Sequence, residues 1–466
     1  MNVDFMDILK KHFSSLKNYE KPGIYSLSPR AFSMGGVWEF RDYLFFILAN
    51  KGKSLTMEIE TFVEKYFNGD ESKLITKKAV SKQRQKFSYE IFIDMNRYFI
   101  EDFVDSDEYE YFFKDWIVLV VDGSKSEIPN TPESKEWANI EDDSLTNKKA
   151  LRVLFSTIID VKYGVVFDSI LGKYDSSERE LLKQHIDNIE DLVDLKKVIL
   201  IMDAGYYSLE LKLILEKRGI NYIFRLPPTT YRYEISQMKN FDEYLKFNNT
   251  GERRRKIKDK NILKKAEKLL YIEGRVVKVP IINEKDEKDE LILLTNLPQN
   301  KLDGYEIADL YRDRWKIEVN YDRLKNKMEI ENYSGKLEQT IKQDFYSRIY
   351  IFNLAMILRN NIQKNLERKN KKKRENENKE YRTNINTLIG RIKNKLLDLF
   401  TSDNEEIKMI FEGIIKRGVK DTYLYDFNRP KKQWHEKIFI GKFRFNQRRN
   451  IWQNKNWLKK VVDNNK

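Results

Sequence analysis

Two short runs of apolar residues most restrict what this chain can fold into. Residues 117–121 read IVLVV and residues 198–202 read VILIM, so neither run alternates between apolar and polar positions. A strand without such alternation is covered on both faces, which is typical of a central strand in an α/β sheet. Each run ends in an aspartate that is followed within two residues by glycine, at Asp122 with Gly123 and at Asp203 with Gly205. We therefore predict an α/β fold in which two buried strands each end in a carboxylate.

The segments around these two strands alternate between strand and helix. Residues 152–159 and 163–171 are strand-like runs joined by a short turn, which predicts a hairpin. Residues 176–192 begin with Ser-Ser-Glu and continue with helical spacing, which predicts a capped helix. Helix and strand patterns return at 208–218, 222–226, 291–294 and 304–328. Residues 227–288 interrupt this order with strand-like pieces, among them 231–235, and are predicted to form a β-rich insertion.

The first 113 residues have mostly helical spacing of their apolar side chains. Within them, Thr76 is the predicted N-cap of a basic helix that carries Lys82 and Arg84. A basic helix after a short turn can lie in a DNA groove, as it does in helix-turn-helix modules. A solvated face on an ordinary helix explains these residues equally well.

The charge balance favours a polyanionic partner. The 466 residues include 87 Lys and Arg against 73 Asp and Glu, so the net charge is +14. Nucleic acid is the leading candidate, because each cation that neutralises a phosphate releases a counterion. A ribosome-associated protein and a merely basic enzyme stay open on composition alone. Basic side chains are concentrated in the helix at 77–86, in the patch at 253–260 with Arg253, Arg254 and Arg255, and in an aromatic-rich tail at 429–466.

The scarcity of sulfur and imidazole ligands limits the possible metal chemistry. The chain has no Cys, and its three His are too scattered for a zinc site; His185 is expected to be a hydrogen-bonded structural residue. A metal would therefore be held by oxygen ligands, which favours Mg²⁺ or Mn²⁺. Apolar runs far shorter than the ~20 residues that span a bilayer, with no signal-like start, predict a cytoplasmic protein without a membrane segment.

Four polar residues in the predicted helix 304–328 share one face. Tyr311, Arg314, Glu318 and Lys325 stand at offsets that place them within a ~60° strip of an ideal helix. The strip flanks the apolar stripe, where a helix can present a carboxylate to a site on the sheet. An exposed i,i+4 ion pair between Arg314 and Glu318 is the alternative, and without the two aspartates it would be favoured.

These residues resemble the signature Y-x2-R-x3-E-x6-K of bacterial insertion-sequence transposases of the DDE class, in the IS4-type, cut-and-paste group. The sequence LYRDRWKIEVNYDRLKNKMEIENYSGK is similar to the third catalytic block of that family, IMDAGYYSLELKLILEKRGINYIFRL to its second and VVDGSKSEIP to its first. The resemblance covers residues 116–354, and a four-residue signature with two correctly placed aspartates is specific.

The resemblance implies an RNase H-like catalytic core, a mixed sheet flanked by helices, with Asp122, Asp203 and Glu318 as catalytic metal ligands. The three carboxylates would hold two Mg²⁺ ions. By the same resemblance, Tyr311, Arg314 and Lys325 would bind phosphates of the transposon end.

One departure from the family concerns base stacking. Relatives stack a flipped base on a tryptophan in the insertion, but residues 227–288 contain none. Tyr231, Tyr233 or Tyr271 could replace it, since any aromatic face can stack a base. Trp315 is placed for a second base contact, although it could equally pack in the core.

The combined prediction is a transposase with three regions. Residues 1–113 would form a helical region that binds DNA ends, 114–362 the catalytic domain with its insertion, and 363–466 a charged helical and basic region. Double-stranded DNA, as terminal inverted repeats and target, is the predicted partner, a homodimer the predicted assembly, and the nucleoid the predicted location. A nuclease of the same fold that does not join strands, and a non-catalytic DNA-binding descendant, are the alternatives.

Overall fold

The computed structural model describes residues 5–17, 23–28, 31–32, 36–112, 115–138, 151–282 and 288–427. The basic, aromatic-rich tail predicted at 429–466 lies outside the described residues. No helix in these described ranges is long and apolar enough to cross a membrane.

The N-terminal part is helical, as predicted. It contains α1 (Phe5–Lys17), α2 (Phe40–Ala49), α3 (Leu55–Tyr66), α4 (Lys77–Arg84) and α5 (Glu90–Val104). The predicted N-cap of α4 is confirmed, because the Thr76 hydroxyl accepts a hydrogen bond from the backbone N–H of Ala79 at 3.2 Å.

An eight-stranded mixed sheet forms the centre of the molecule. Its strands have the spatial order β3-β2-β1-β4-β5-β8-β7-β6. They are β1 (Ile117–Glu127), β2 (Arg152–Asp160), β3 (Val166–Gly172), β4 (Val198–Met202), β5 (Asn221–Arg225), β6 (Asp242–Asn248), β7 (Tyr271–Ile282) and β8 (Lys288–Thr295). Strands β1, β4 and β5 are parallel and all other neighbours are antiparallel. The two apolar runs are thus adjacent central strands, and the predicted hairpin is formed by β2 and β3.

Helices connect the strands and cover the sheet. Between β1 and β5 these are α6 (Pro132–Ala138), α7 (Glu178–Ile189) and α8 (Leu209–Lys217). The capped helix predicted at 176–192 is α7, whose N-cap is Ser177. Helix α7 packs against β1, β2 and β3, and α8 against β5. The fold is therefore a mixed sheet flanked by helices, which is consistent with an RNase H-like domain.

The segment predicted as a β-rich insertion is joined to the central sheet. Strand β8 pairs with both β5 and β7, so β7 and β6 extend the sheet beyond β5. The strand predicted at 231–235 is wrong, because Tyr231 adopts φ +54° and starts the short helix α9 (Arg232–Ser236). The basic patch forms two more short helices, α10 (Gly251–Arg254) and α11 (Lys260–Glu267).

The helix predicted at 304–328 is divided into three parts. It consists of α12 (Gly304–Arg312), α13 (Trp315–Asp322) and a π-helical turn (Arg323–Lys327). At the division, the N–H groups of Asp313 and Arg314 bond to carbonyls three residues back rather than four. This tighter turn advances the side chains by about 120° per residue instead of 100°. The prediction of one uniform helix over 304–328, on which the polar strip was based, is therefore wrong.

One long helix joins the sheet to the terminal helices. Helix α14 (Glu338–Glu377) packs against α5, α2 and β3, and is followed by β9 (Lys379–Thr383), α15 (Ile385–Thr401), α16 (Asn404–Lys420) and β10 (Thr422–Asp426). Strands β9 and β10 pair as a second, two-stranded sheet. The charged stretch after residue 363 continues α14 up to Glu377. Buried apolar side chains from Phe5 to Ile414 belong to one contiguous core.

Candidate active site

The first carboxylate lies inside β1 and not at its end. The predicted strand end at Asp122 is wrong, because β1 continues to Glu127 and Asp122 itself pairs with Thr157 of β2. Asp122 is partly buried, and its Oδ1 accepts a hydrogen bond from the N–H of Gly123 at 2.9 Å. Its carbonyl oxygen accepts one from the Tyr321 hydroxyl at 2.5 Å. Burial raises the pKa of Asp122 to about 6, and the negative charges of Asp203 and Glu178 add to this effect. Asp122 therefore lies among carboxylates in a partly desolvated site.

The second carboxylate is level with the first. Val120 of β1 pairs with Ile201 of β4, so two residues further along each parallel strand the chain reaches Asp122 and Asp203. The N–H of Gly205 donates to Oδ1 of Asp203 at 2.8 Å, which fixes the turn after β4. The structure thus brings together the two aspartates that the sequence singled out at strand ends.

The third carboxylate is connected to the first by an arginine. Glu318 is on α13, and its Oε1 accepts a hydrogen bond from Nη2 of Arg314 at 3.0 Å. The same guanidinium is close enough to Asp122 to lower the pKa of that carboxyl, against the effect of burial. Arg314 therefore interacts with both carboxylates from the start of α13.

The two other signature residues border this group. The hydroxyl of Tyr311 is buried and has no hydrogen-bond partner within the described ranges. Burial raises the pKa of Tyr311, while the charges of Arg314 and Arg225 oppose the rise. Lys325, in the π-helical turn, donates from Nζ to Ser124 Oγ and to the Lys125 carbonyl, both at 2.7 Å. Lys325 thus ties the helix to β1 just beyond Asp122.

Trp315 is exposed beside Arg314. Its side chain is 61% exposed, and the Arg314 guanidinium carbon lies 5.5 Å from the ring centroid. The alternative that Trp315 packs in the core is therefore wrong.

A fourth carboxylate was not identified from the sequence. Glu178, the first residue of α7, approaches β1 so closely that a Cβ atom at position 123 would clash with its Oε1. Gly123 therefore permits this approach. Burial raises the pKa of Glu178, and the charge of Asp203 raises it further. The only sequence signal was Ser-Ser-Glu, which was interpreted as a helix start.

The acidic side chains supply the type of ligand that a divalent cation takes, but in the described residues they are not grouped as a metal site. Asp122, Asp203 and Glu178 supply oxygen ligands only, and the repulsion and desolvation that raise the pKa of Asp122 would be relieved by a cation. Among the residues that the structure describes, no three His, Asp or Glu side chains are grouped closely enough to hold a metal ion. The side chain of Glu318 is instead paired with Arg314.

Arg84, predicted to bind DNA, is instead part of the core. Its side chain is 1% exposed and forms an ion pair with Asp344 of α14 at 2.7 Å. Nε donates to Gln343 at 2.8 Å, and Nη1 donates to Ser334 at 2.5 Å. The prediction of a DNA contact by Arg84 is wrong, because a buried guanidinium needs this complete set of partners. Lys82, on the opposite side of α4, is exposed.

Two arginines of the basic patch at 253–260 are held by contacts within the protein. Arg253 pairs with Glu234 at 2.8 Å and lies 4.5 Å from the centroid of the Tyr231 ring. Arg254 donates from Nη1 to the Asn249 carbonyl at 2.7 Å. Both side chains therefore stabilise the insertion, whereas Arg255 is exposed.

The aromatic residues proposed for base stacking differ in exposure. Tyr231 is buried and stacks on Phe247 with a centroid distance of 3.9 Å, so it is not available to a base. Tyr233 is 72% exposed and Tyr271 is also exposed.

His185 has a structural environment. It is buried, with Nδ1 2.6 Å from Asp168 Oδ2 and Nε2 2.9 Å from Ser156 Oγ. The prediction of a hydrogen-bonded structural histidine is confirmed.

The comparisons with known proteins agree with the observed fold, a mixed sheet flanked by helices. A model of the transposase DDE domain matches residues 115–354, which include the whole sheet and all three predicted carboxylates. The match covers more than half of the chain, and the protein belongs to this family.

Two curated transposases are similar to part of the chain. Transposase InsG of insertion sequence element IS4 from Escherichia coli strain K12 is 23% identical over 245 residues, which are 51% of each protein. The transposase of insertion sequence element IS421 from Escherichia coli is 28% identical over 94 residues, 20% of this chain and 24% of the relative. The chain thus spans about half the length of the first relative and about a quarter of the second. These matches support an IS4-like transposase.

Proposed function

We propose that this protein is the transposase of an insertion sequence, which cleaves DNA at the terminal inverted repeats and joins the freed ends to target DNA. Asp122, Asp203 and Glu318 would be its catalytic residues. The observation that carries this proposal is the register of β1 and β4, which makes Asp122 and Asp203 level, together with Arg314 between Asp122 and Glu318. The family match and the similar transposases support DNA transposition as the activity.

The three carboxylates would hold Mg²⁺, or Mn²⁺ in its place. When bound, the metal would supply activation of the attacking oxygen and stabilisation of the leaving oxygen. Repulsion between carboxylates in a partly desolvated site favours cation binding. The raised pKa of Asp122 supports this role, because burial and neighbouring carboxylates cause it.

The basic and aromatic residues around the carboxylates would position DNA. Arg314 uses one N–H group on Glu318, and the guanidinium has further donors for a phosphate oxygen. Tyr311 and Lys325 would contact phosphates beside the scissile bond, and Trp315 would stack on a base. Lys82 and Arg255 would contact the duplex further away. Tyr233 or Tyr271 would take the stacking role in the insertion.

A homodimer would be the working assembly. An insertion sequence has two ends, and two copies of the chain would supply one set of carboxylates to each end in a synaptic complex. This part of the proposal rests on the family resemblance.

Replacing Glu318 by Gln tests the proposal. Cleavage of a labelled end duplex with Mg²⁺ should be lost, while binding of that duplex in a gel-shift assay should be kept, because Gln removes the charge and leaves the shape. Glu338→Gln, at the exposed start of α14, is the matched control and should cleave like the wild type. Full cleavage by Glu318→Gln would refute the proposal.

A strand-transfer assay separates a transposase from a nuclease of the same fold. Duplexes with pre-cleaved inverted-repeat ends should be joined to a supercoiled target plasmid. A nuclease would cut the substrate but form no joined product.

A further inference from the structure

Three arginines from separate segments come together at the far end of α13. Arg323 begins the π-helical turn after that helix, Arg359 lies on α14, and Arg382 lies on β9. Each side chain is partly buried. We name these three residues the arginine cluster; none belongs to the signature that suggested the active site.

Hydrogen bonds to one turn bring the first two arginines together. The turn between β2 and β3 presents two consecutive carbonyls. Asn320 donates to the carbonyl of Gly164 at 2.8 Å, and Asn360 donates to that of Tyr163 at 2.9 Å. Arg323 in turn donates from Nη1 to Oδ1 of Asn320 at 2.9 Å. These hydrogen bonds to the backbone therefore fix the arrangement as part of the fold.

Few acidic groups compensate these charges. Arg382 donates from Nε to Glu380 at 2.5 Å. Among the described residues, Arg323 and Arg359 form no ion pair within 4.0 Å, although the charge of Asp322 acts on Arg323 and that of Glu380 acts on Arg359. Burial lowers the pKa of Arg323 to about 10, with a further contribution from the positive charge of Arg359. Partly buried like charges are unfavourable unless an anion binds between them.

Exposed aromatic side chains lie next to the cluster. Tyr423 of β10 pairs with Arg382 across the two-stranded sheet and lies beside both other arginines. The Arg382 guanidinium carbon is 3.4 Å from the centroid of the Tyr425 ring. Tyr423, Tyr425 and Phe427 are all exposed. Arginines with exposed aromatic rings are typical of surfaces that contact nucleic acid.

The other face of this small sheet is also basic. An open groove of about 1150 Å³ runs beside Tyr381 and Thr422, which are the strand neighbours of Arg382 and Tyr423 and therefore point to the opposite face. Its lining includes four lysines and one glutamate, namely Lys369, Lys372, Lys416, Lys420 and Glu412. Positive charge thus surrounds the two-stranded sheet.

We propose that the arginine cluster is a second DNA site, which binds the phosphodiester backbone of double-stranded DNA away from the catalytic carboxylates. Guanidinium groups match phosphate oxygens in a bidentate manner, and backbone contacts of this kind position a duplex. An acidic protein segment is less well matched, because a duplex carries one phosphate charge per ~1.7 Å of its axis and can engage the arginine cluster and the lysines of the neighbouring groove together. The proposal relies on the proposed function only in taking DNA as the substrate.

The test compares two double variants that lose the same charge. Arg359→Gln with Arg382→Gln removes two cluster arginines. Arg97→Gln with Arg218→Gln is the matched control, since these arginines are similarly exposed, are paired with carboxylates as Arg382 is, and lie outside the cluster. Binding of a fluorescent duplex of about 30 base pairs is measured by anisotropy, without metal, across roughly 50 to 200 mM salt.

The cluster variant should bind at least about tenfold more weakly, and its salt slope should fall by about 0.9 for each phosphate that the protein no longer neutralises. The control should keep the wild-type slope. Arg359→Lys with Arg382→Lys restores both charges and should regain the wild-type salt slope, while its affinity stays below that of the wild type because Lys lacks the bidentate donors. A slope that does not recover would indicate a structural role and overturn the proposal. If the cluster variant keeps the affinity and salt slope of the wild type, the proposal is overturned and an acidic protein becomes the partner to test.

The assay also distinguishes this proposal from the proposed function. Because no metal is present, loss of catalysis cannot cause either result. Failure of the wild-type chain to bind any duplex would count against the proposed function itself.

Discussion

Arg314 donates a hydrogen bond from Nη2 to Oε1 of Glu318 at 3.0 Å, and its charge also acts on Asp122. One guanidinium therefore balances two of the proposed catalytic carboxylates, at the position where the helix tightens before α13. An exposed i,i+4 pair would contribute only about 0.3–0.5 kcal/mol to stability. We therefore expect the Arg314–Glu318 pair to contribute to catalysis and not mainly to stability.

We expect Arg314→Gln to lose at least about a hundredfold in single-turnover cleavage of an end duplex, because both a phosphate donor and a balancing charge disappear. Arg314→Lys should recover only part of the rate, since Lys lacks the planar set of donors. Lys316→Gln, two residues further on and paired with Asp313, is the control and should cleave normally. Equal rates for Arg314→Gln and the control would contradict the assigned role.

A second prediction concerns Glu178, which approaches Gly123 and acts on Asp203. If Glu178 contributes to cation binding, Glu178→Gln should raise the Mg²⁺ concentration needed for half-maximal cleavage by about tenfold, an effect common for outer-shell partners. Glu180→Gln on the same helix removes an equal charge that is paired with Lys183 and should leave the Mg²⁺ requirement unchanged. An unchanged requirement in Glu178→Gln would show that the residue is only a helix start.

Much of the proposed active site could be predicted from local sequence. Continuous apolar runs identify central strands, and parallel neighbours bring their carboxyl ends to one edge of the sheet, so Asp122 and Asp203 could be predicted to lie together. The spacing on an ideal helix predicted that Tyr311, Arg314, Glu318 and Lys325 lie near one another. They do border one site, although the helix is not uniform.

Other features depend on packing between distant segments. The burial of Arg84 depends on Asp344, 260 residues further along the chain, and a basic helix pattern contains no sign of such a partner. The approach of Glu178 to β1 depends on how α7 crosses the sheet. Tyr231 has a strand-like sequence around it, but packing on Phe247 and Arg253 holds it in a left-handed conformation. Tertiary contacts overrode local propensity at Tyr231, whereas at Arg84 and Glu178 they decided the position of a side chain on a correctly predicted helix.

Two residues of helix α4 allow the effect of a substitution on stability to be compared with its effect on DNA binding. Arg84→Met should lower the free energy of unfolding by about 3–5 kcal/mol, because it leaves the buried carboxylate of Asp344 without its partner. Lys82→Gln should leave stability unchanged but reduce the salt dependence of duplex binding by about 0.9 in slope, if it contacts one phosphate. Urea denaturation and anisotropy measure the two effects. Loss of stability in Lys82→Gln, or none in Arg84→Met, would contradict the structure.

The final prediction concerns pH and Asp160, which is buried at the end of β2. Its Oδ2 accepts a hydrogen bond from the Tyr109 hydroxyl at 2.8 Å, and its Oδ1 accepts one from the N–H of Tyr163 at 2.6 Å. Burial raises the pKa of Asp160 to about 6, from 3.8 in the unfolded chain, although these hydrogen bonds oppose the rise.

Because the folded state holds the proton more tightly, the contribution of Asp160 to stability is complete below the unfolded pKa and is lost as pH rises through about 6. Asp160→Asn cannot ionise, so the stability of the wild type relative to this variant should fall by about 2 kcal/mol between pH 4 and pH 7. Urea denaturation of both proteins across this range measures the difference. Tyr109→Phe should extend the loss to higher pH, because it removes a hydrogen bond that favours the charged carboxylate. A difference that does not change with pH would mean that Asp160 is ionised in the folded protein throughout the range.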